Sequence, residues 1–114
     1  MAGITVNYPG LESSPYKPLV DGQFGGLGGA ILTIRAGSRE KAFKLINSLK
    51  YAHIATNIGD LRTLVIHPSS TIYLHSTKEE QEHAGVYEDT IRISVGIEDV
   101  EDLIADFTQA IENI

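Results

Sequence analysis

Arg92 is the residue whose type and position indicate ligand chemistry most directly. It lies at the centre of residues 90–95, where apolar and polar side chains alternate as they do in a β-strand. Its polar neighbours on the same face are Thr90 and Ser94. Arginine is a rigid, permanently charged fork that suits a carboxylate or a phosphate. The pattern therefore predicts a cation that binds a ligand or a partner surface, or one that forms a salt bridge with an acidic side chain on the sheet face. The sequence leaves these alternatives open.

The turn Asn57-Ile58-Gly59-Asp60 is the second candidate. An asparagine that opens a turn can contact a ligand, but it also tolerates left-handed backbone geometry without any further role. Residue chemistry alone favours a ligand role less strongly for Asn57 than for Arg92.

Other reactive side chains lack the surroundings that their chemistry requires. Ser76-Thr77-Lys78 superficially resembles the lysine site of a pyridoxal-phosphate enzyme, but Lys78 begins an acidic helix in which nothing would desolvate it. The four histidines show no metal-binding spacing such as His-Glu-x-x-His, so no metal site is predicted. The glycine-rich run 25–29 leads into a strand rather than a helix, which indicates backbone geometry or close packing instead of phosphate binding.

The elements that position these residues follow from hydrophobic periodicity. We predict strands at residues 4–8, 30–35, 51–56, 62–67 and 90–95, and helices at 39–49, 78–84 and from 100 to the end. Residues 11–24 and 69–76 are predicted to be loops, the first with room for one helical turn. This order predicts an α+β fold, a mostly antiparallel sheet with its helices packed on one face. The other face would carry Thr33, Arg35, Thr90, Arg92 and Ser94.

Capping residues mark the predicted helices. Ser38 is a favourable N-cap, and Thr77 with Glu80 forms a capping-box pattern before a short helix. The last helix has an apolar stripe that we expect to be buried: Val100, Leu103, Ile104, Phe107, Ala110, Ile111 and Ile114. The acidic residues at its start, Glu98, Asp99, Glu101 and Asp102, are accounted for by the helix dipole, which favours negative charge there.

Composition limits the class of protein. The chain has 114 residues, enough for one domain, and its net charge of −6 argues against nucleic acid and against an anionic membrane surface as partners. It contains no cysteine, no apolar run of about 20 residues and no signal-peptide pattern. We expect a cytoplasmic protein.

Five segments, in this order along the chain, resemble one known family. They are Val6-Asn7-Tyr8-Pro9-Gly10-Leu11, the run from Phe24 to Gly29, Asn57-Ile58-Gly59-Asp60, Thr63-Leu64-Val65-Ile66-His67-Pro68 and Ile91-Arg92-Ile93-Ser94-Val95-Gly96-Ile97-Glu98-Asp99. Together they resemble the C-terminal domain of the Cys/Met-metabolism pyridoxal-phosphate enzymes, which include cystathionine synthases and lyases, methionine γ-lyase and the O-acetylhomoserine sulfhydrylases. The turn that opens with Asn57 is similar to the sulfhydrylase version, since the lyases usually have serine there. This favours the O-acetylhomoserine (thiol)-lyase branch.

The resemblance implies that residues 1–114 are a single C-terminal domain of a fold-type-I subunit, and that the N-terminal cofactor domain is absent from this chain. In the family, the arginine of the Arg-x-Ser-Val-Gly motif pairs with the substrate α-carboxylate. That position is Arg92, and the position beside the same carboxylate is Asn57. The resemblance implies pyridoxal phosphate in the complete enzyme and none on this chain alone. We also expect an O-acetylhomoserine-like substrate, the missing cofactor domain as a partner, and a homo-oligomer.

Two departures from the family pattern affect this interpretation. Ile72 and Tyr73 stand where the family usually has threonine and histidine, which predicts altered turnover or substrate preference. The family's Schiff-base lysine and its other cofactor ligands belong to the absent domain, so no catalytic residue is assigned.

Two hypotheses therefore stand at this stage. The first is a substrate-positioning domain that is inactive alone, whether cut out or encoded separately. The second is a stand-alone non-catalytic α+β module that binds an amino acid or a partner subunit. Met1-Ala2-Gly3 is typical of a start placed at a domain boundary.

Overall fold

The computed structural model describes residues 3–114, which form five strands and four helices. Met1 and Ala2, where the sequence predicts a start at a domain boundary, lie outside the described residues. The strands are β1 (Thr5–Asn7), β2 (Ile31–Arg35), β3 (His53–Ile54), β4 (Leu64–Ile66) and β5 (Thr90–Ser94). The helices are α1 (Lys17–Gln23), α2 (Arg39–Ser48), α3 (Lys78–His83) and α4 (Val100–Glu112). Within this part of the chain, no helix is long and apolar enough to cross a membrane.

The five strands form one sheet in the order β1-β2-β5-β4-β3. Three neighbouring pairs are antiparallel, and only the edge pair β3–β4 is parallel. The prediction of a mostly antiparallel sheet is thus confirmed. The strand that carries Arg92 lies at the centre of the sheet, between β2 and β4, where hydrogen bonds on both sides hold its backbone.

The main core lies between one face of the sheet and helices α2 and α4. Val65, Ile91 and Ile93 contribute from the sheet, and Leu45 and Ala110 from the two helices. Leu45, Val65, Ile91 and Ala110 are all fully buried. The predicted packing of helices on one face is therefore confirmed for the two long helices.

Caps and cross-links fix the ends of these helices. The Ser38 hydroxyl accepts a hydrogen bond from the Lys41 amide, and the capping box of Thr77 and Glu80 is formed, both as predicted. The buried carboxylate of Asp106 on α4 accepts from the amides of Lys50 and Tyr51, each at 2.8 Å. It thereby holds the chain that leaves α2 against α4.

Two segments predicted to be loops contain helical structure. Residues 17–23 form α1, which begins at a lysine followed by Pro18. Proline is tolerated in the first turn of a helix, because its missing N–H would have no intrahelical partner there. Residues 68–70 form a 3-10 turn, which again begins at a proline. Proline is common in loops as well as at helix starts, and in both segments it initiates a helical turn.

The second face of the sheet is less polar than predicted. The register pairs Leu64 with Ser94 and Ile66 with Arg92, so both aliphatic residues share the face of Arg92. Each is only 1% exposed. The sequence analysis assigned polar residues to this face but overlooked these two, because the β4 run is apolar at every position and its period cannot be read.

One part of the predicted apolar stripe of α4 is not buried. Val100 and Ile104 are 66% and 61% exposed, although Leu103 and Ala110 of the same helix are buried. They lie along an open groove of about 340 Å³ between α4 and the sheet, which is lined by Ile4, Val6, Leu32, Ile34, Thr63, Ile93, Val95, Val100, Leu103, Ile104, Phe107 and Ile111. The expectation that the whole stripe is buried was wrong for this end of the helix.

Candidate functional site

Arg92 lies partly buried at the middle of β5, opposite Thr33 of β2 and Ile66 of β4. Its Nη2 donates a hydrogen bond of 2.7 Å to the carbonyl oxygen of Thr56. Thr56 is the only partner of the guanidinium within residues 3–114. Since a guanidinium carries five N–H donors, most of its binding capacity is available.

The salt-bridge alternative for Arg92 is not realised. Among the described residues, the ion pairs within 4.0 Å involve Lys17, Arg35 and Arg62, and none involves Arg92. Arg35 lies on the same face of the sheet and does form an ion pair, with its Nε 2.9 Å from Asp89 Oδ1. Arg92 is therefore a cation in a fixed backbone position with no carboxylate of residues 3–114 within 4.0 Å.

The turn predicted as the second candidate lies next to Arg92. Asn57 is exposed and directly follows Thr56, whose carbonyl accepts from Arg92. Two residues further on, the Gly59 amide donates to Ser94 Oγ at 3.2 Å. Asn57 thus lies one residue from the backbone carbonyl that Arg92 contacts.

Asn57 does not serve the turn by adopting left-handed geometry. No residue other than glycine has a positive φ within residues 3–114, and Gly59 takes that role at φ +75°. Since only glycine adopts this conformation without a steric cost, Gly59 explains the turn. The side chain of Asn57 is therefore not accounted for by backbone geometry.

Glu98 is a residue of this region that sequence reasoning missed. Its Oε2 accepts from the Thr63 amide and its Oε1 from the Thr63 hydroxyl, both at 2.7 Å. Burial raises the pKa of Glu98, but these two hydrogen bonds outweigh it, so that the pKa is lowered overall. The N-cap of α4 is Asp99, whose Oδ1 accepts from the amides of Glu101 and Asp102. Glu98 lies outside α4, and the sequence carries no local signal of its contact with Thr63.

The comparisons with known proteins identify the family. The sequence profile described as Cys/Met metabolism PLP-dependent enzyme matches residues 4–112. The chain belongs to this family. It is 46% identical over 108 residues to the homocysteine synthase of Schizosaccharomyces pombe, covering 94% of this chain and 25% of that protein. It is 41% identical over 109 residues to an L-methionine gamma-lyase of Fusobacterium nucleatum, covering 96% of this chain and 28% of that one.

A solved structure supports the same assignment. A protein from Campylobacter jejuni, assigned as an O-acetylhomoserine (thiol)-lyase, superposes with a TM-score of 0.89 at 37% identity. The match covers 98% of this chain and 27% of that one, and that structure carries an N′-pyridoxyl-lysine-5′-monophosphate. The chain therefore has the fold of part of a fold-type-I PLP enzyme, and it spans about a quarter of the length of the relatives it matches.

The lysines of this chain do not fit the cofactor of the family. A Schiff-base lysine needs a lowered pKa, which desolvation or a neighbouring cation supplies. Lys41, Lys44, Lys50 and Lys78 are exposed. The hydrogen bond with Asp21 is the main reason that the pKa of Lys17 is raised, which is the opposite direction. No lysine among residues 3–114 is thus placed to hold pyridoxal phosphate, and we derive no step through it.

The two departures from the family pattern lie between the 3-10 turn at residues 68–70 and α3. Ile72 is half exposed. Tyr73 lines a cavity with Ser76, Glu79, Glu80 and His83 beside α3. An effect of these two residues on turnover stays a prediction. The described residues also contain no cluster of three or more potential metal ligands.

Proposed function

We propose that this chain is the C-terminal, substrate-positioning domain of an O-acetylhomoserine sulfhydrylase-like enzyme. The complete enzyme would replace the γ-acetate of O-acetylhomoserine with a sulfur nucleophile, in methionine or cysteine biosynthesis. The observation that carries the proposal is Arg92, a fixed guanidinium that donates one hydrogen bond to Thr56 and meets no carboxylate of residues 3–114.

The role of Arg92 is to bind the α-carboxylate of the amino-acid substrate. A guanidinium can bind both oxygens of a carboxylate in parallel, which fixes the direction of the ligand as well as holding it. The backbone of the central strand and the hydrogen bond to Thr56 restrict the fork before the ligand arrives. Asn57, exposed beside Thr56, is proposed to contact the same carboxylate. Orientation of this kind lowers the entropic part of an activation barrier.

The sulfhydrylase branch is proposed over the lyase branch because the turn Asn57-Ile58-Gly59-Asp60 is similar to the sulfhydrylase version.

A cofactor-binding domain of this family is the partner that we propose for the chain. The relatives are about four times longer than the segment they share with it, and the lysines here lack the setting for pyridoxal phosphate. The apolar groove beside α4 is a suitable docking surface, because Val100 and Ile104 expose most of their area there. Covering such area would stabilise the contact by about 25 cal/mol per Å². A homo-oligomer and a cytoplasmic location stay predictions.

The test is to transplant the domain. Residues 4–114 replace the matching segment of Schizosaccharomyces pombe homocysteine synthase, and the sulfhydrylation of O-acetylhomoserine is measured. We expect the fusion to be active and the isolated chain to be inactive. Arg92→Ala should raise KM roughly 100-fold, because a charged hydrogen-bonded pair contributes about 2–3 kcal/mol. Arg39→Ala, which removes an exposed arginine over Phe43, is the matched control and should keep KM unchanged.

Three results would contradict the proposal. An unchanged KM in the Arg92→Ala fusion would remove its basis. A stoichiometric absorbance band when pyridoxal phosphate is added to the isolated chain, lost in Lys78→Ala, would show that the chain holds the cofactor itself. Tight binding of a free amino acid to the isolated chain, abolished by Arg92→Ala, would favour a stand-alone binding module.

A further inference from the structure

Glu98 and Thr63 form a closed set of hydrogen bonds near the end of β5. The two oxygens of Glu98 accept from the Thr63 amide and hydroxyl at 2.7 Å each. The same hydroxyl oxygen accepts from the Gly96 amide at 2.9 Å. Thr63 is fully buried. Every polar group in this set is satisfied, so its geometry has little freedom.

Two further contacts bring the segment that precedes Thr63 against the segment that follows Arg92. The Ile97 amide donates to the Leu61 carbonyl at 2.9 Å, and the Gly59 amide donates to the buried Ser94 hydroxyl at 3.2 Å. A Cβ at Gly96 would collide with the Leu61 carbonyl oxygen, so the two backbones are in direct contact. Residues 59–63 are thus tied to residues 94–98 at several points.

The position of the Arg92 guanidinium depends on the same segment. Its one hydrogen bond within residues 3–114 goes to the carbonyl of Thr56, three residues before Gly59. If residues 56–63 shifted, this acceptor would move, and the exposed Asn57 beside it would move as well. A displacement of about 1 Å is enough to weaken a positioned contact severely.

We propose that Glu98, Thr63 and Ser94 are positioning residues, which hold residues 56–63 so that Arg92 and Asn57 meet the substrate carboxylate together. This inference rests on the proposed function. None of the three needs to contact the ligand, since each acts on the segment that orients Arg92. Glu98 does not cap α4, because both of its oxygens accept from Thr63 and the cap is supplied by Asp99.

The first experiment uses the isolated 114-residue chain and measures amide hydrogen exchange by NMR. Thr63→Val keeps the shape of the side chain but removes the hydroxyl, and Thr63→Ser restores it. In Thr63→Val we expect exchange of the Gly59 amide to accelerate at least about tenfold, because this segment would open locally while the core stays closed. Exchange at Ile93 should stay the same, and Thr63→Ser should behave like the native chain. Unchanged exchange at Gly59, or equal acceleration at both amides, would overturn the proposal.

The second experiment measures kcat and KM in the fusion with the homocysteine synthase segment. Glu98→Gln and Thr63→Val should each raise KM for the amino-acid substrate about tenfold, because coupled contacts contribute energies of this order. Glu101→Gln is the matched control, since it removes the same charge from an exposed side chain at the same end of α4. KM should not change in it, and Thr63→Ser should restore the native value.

Adding Arg92→Ala separates this inference from the proposed function. If the three residues act through Arg92, Thr63→Val should raise KM no further once Arg92 is alanine. Equal effects of Thr63→Val with and without Arg92 would overturn the positioning role while leaving the proposed function intact. If Arg92→Ala alone leaves KM unchanged, the proposed function fails and this inference fails with it.

Discussion

Arg35 and Arg92 lie on the same face of the sheet but have opposite surroundings. Arg35 donates to Asp89 at 2.9 Å, and its guanidinium lies 4.1 Å from the centre of the Tyr87 ring. Asp89 also accepts from the Gly37 amide at 3.0 Å, so the pair joins β2 to the chain before β5. Arg92 has one backbone acceptor and no carboxylate within 4.0 Å among the described residues. Arg35 is thus paired with a carboxylate of the fold, whereas Arg92 meets none among residues 3–114.

Replacing a paired arginine and replacing an unpaired one are expected to change different properties of the protein. A paired arginine stabilises the protein, and its replacement is felt in the free energy of unfolding. An unpaired arginine in a fixed position contributes little to folding, and its replacement is felt in binding. The following predictions test this separation, from the largest expected effect on stability to the smallest.

Asp89→Asn should have the largest effect. It removes the charge from a carboxylate whose side chain is only 10% exposed and that accepts from Arg35 and Gly37. Since hydrogen bonds to charged groups contribute about 1.5–3 kcal/mol, we expect a loss of about 2–3 kcal/mol in the free energy of unfolding. Urea denaturation of the isolated chain measures it. A loss below about 0.5 kcal/mol, the range of ordinary surface changes, would mean that Arg35 is not structural.

Acidification should destabilise the protein at two carboxylates, Asp89 beside Arg35 and Asp106 between α2 and α4. Burial raises the pKa of Asp89, but the hydrogen bonds from Arg35 and Gly37 and the nearby charge of Arg35 outweigh it and lower the pKa below 3.8. Burial likewise raises the pKa of Asp106. This effect is outweighed by hydrogen bonds from the amides of Tyr51 and Lys50 and from the side chain of Gln109, so the pKa is lowered overall.

A carboxyl with a lowered folded pKa stabilises the protein fully above its unfolded pKa and loses this contribution as pH falls through the folded value. The melting temperature should therefore be constant above about pH 5 and should fall below about pH 4. The fall should be smaller in Asp89→Asn and in Asp106→Asn. If both variants lost melting temperature with falling pH as the native chain does, these two carboxyls would not be the source of the acid sensitivity.

Arg92→Ala should have the smallest effect on stability. One hydrogen bond to an exposed backbone carbonyl is lost, so we expect a change of no more than about 1 kcal/mol in the free energy of unfolding. Arg35→Ala is the matched comparison on the same face and should lose more. A reversed order in urea denaturation would contradict the separation of the two arginines.

The sequence predicted those parts of the molecule where a local pattern decides the outcome. Alternation placed Arg92 on the polar face of a strand, and capping chemistry located the starts of α2 and α3 correctly. The continuous apolar run in β4 has no readable period, so Leu64 and Ile66 were not assigned to the face of Arg92. A first-turn proline is compatible with a helix start as well as with a loop, which is why no more than one helical turn was predicted where α1 forms.

The contacts around Arg92 could not be predicted, because they join residues far apart in the chain. Thr56 and Arg92 are 36 positions apart, and Thr63 and Glu98 are 35 apart. Glu98 also had a local explanation in the helix dipole, which concealed its contact with Thr63. Local patterns identified the arginine but not the residues that orient it.

The most direct test of a carboxylate-binding Arg92 compares two ligands in the fusion enzyme, the substrate amino acid and its carboxamide. They have the same shape, but only the first carries the α-carboxylate charge. With Arg92 present, we expect the amino acid to bind roughly 100-fold more tightly, since a charge-assisted pair contributes about 2–3 kcal/mol. In Arg92→Ala this preference should disappear, whereas in Arg39→Ala it should persist. A preference that survives in Arg92→Ala would show that another residue binds the carboxylate and would contradict the account.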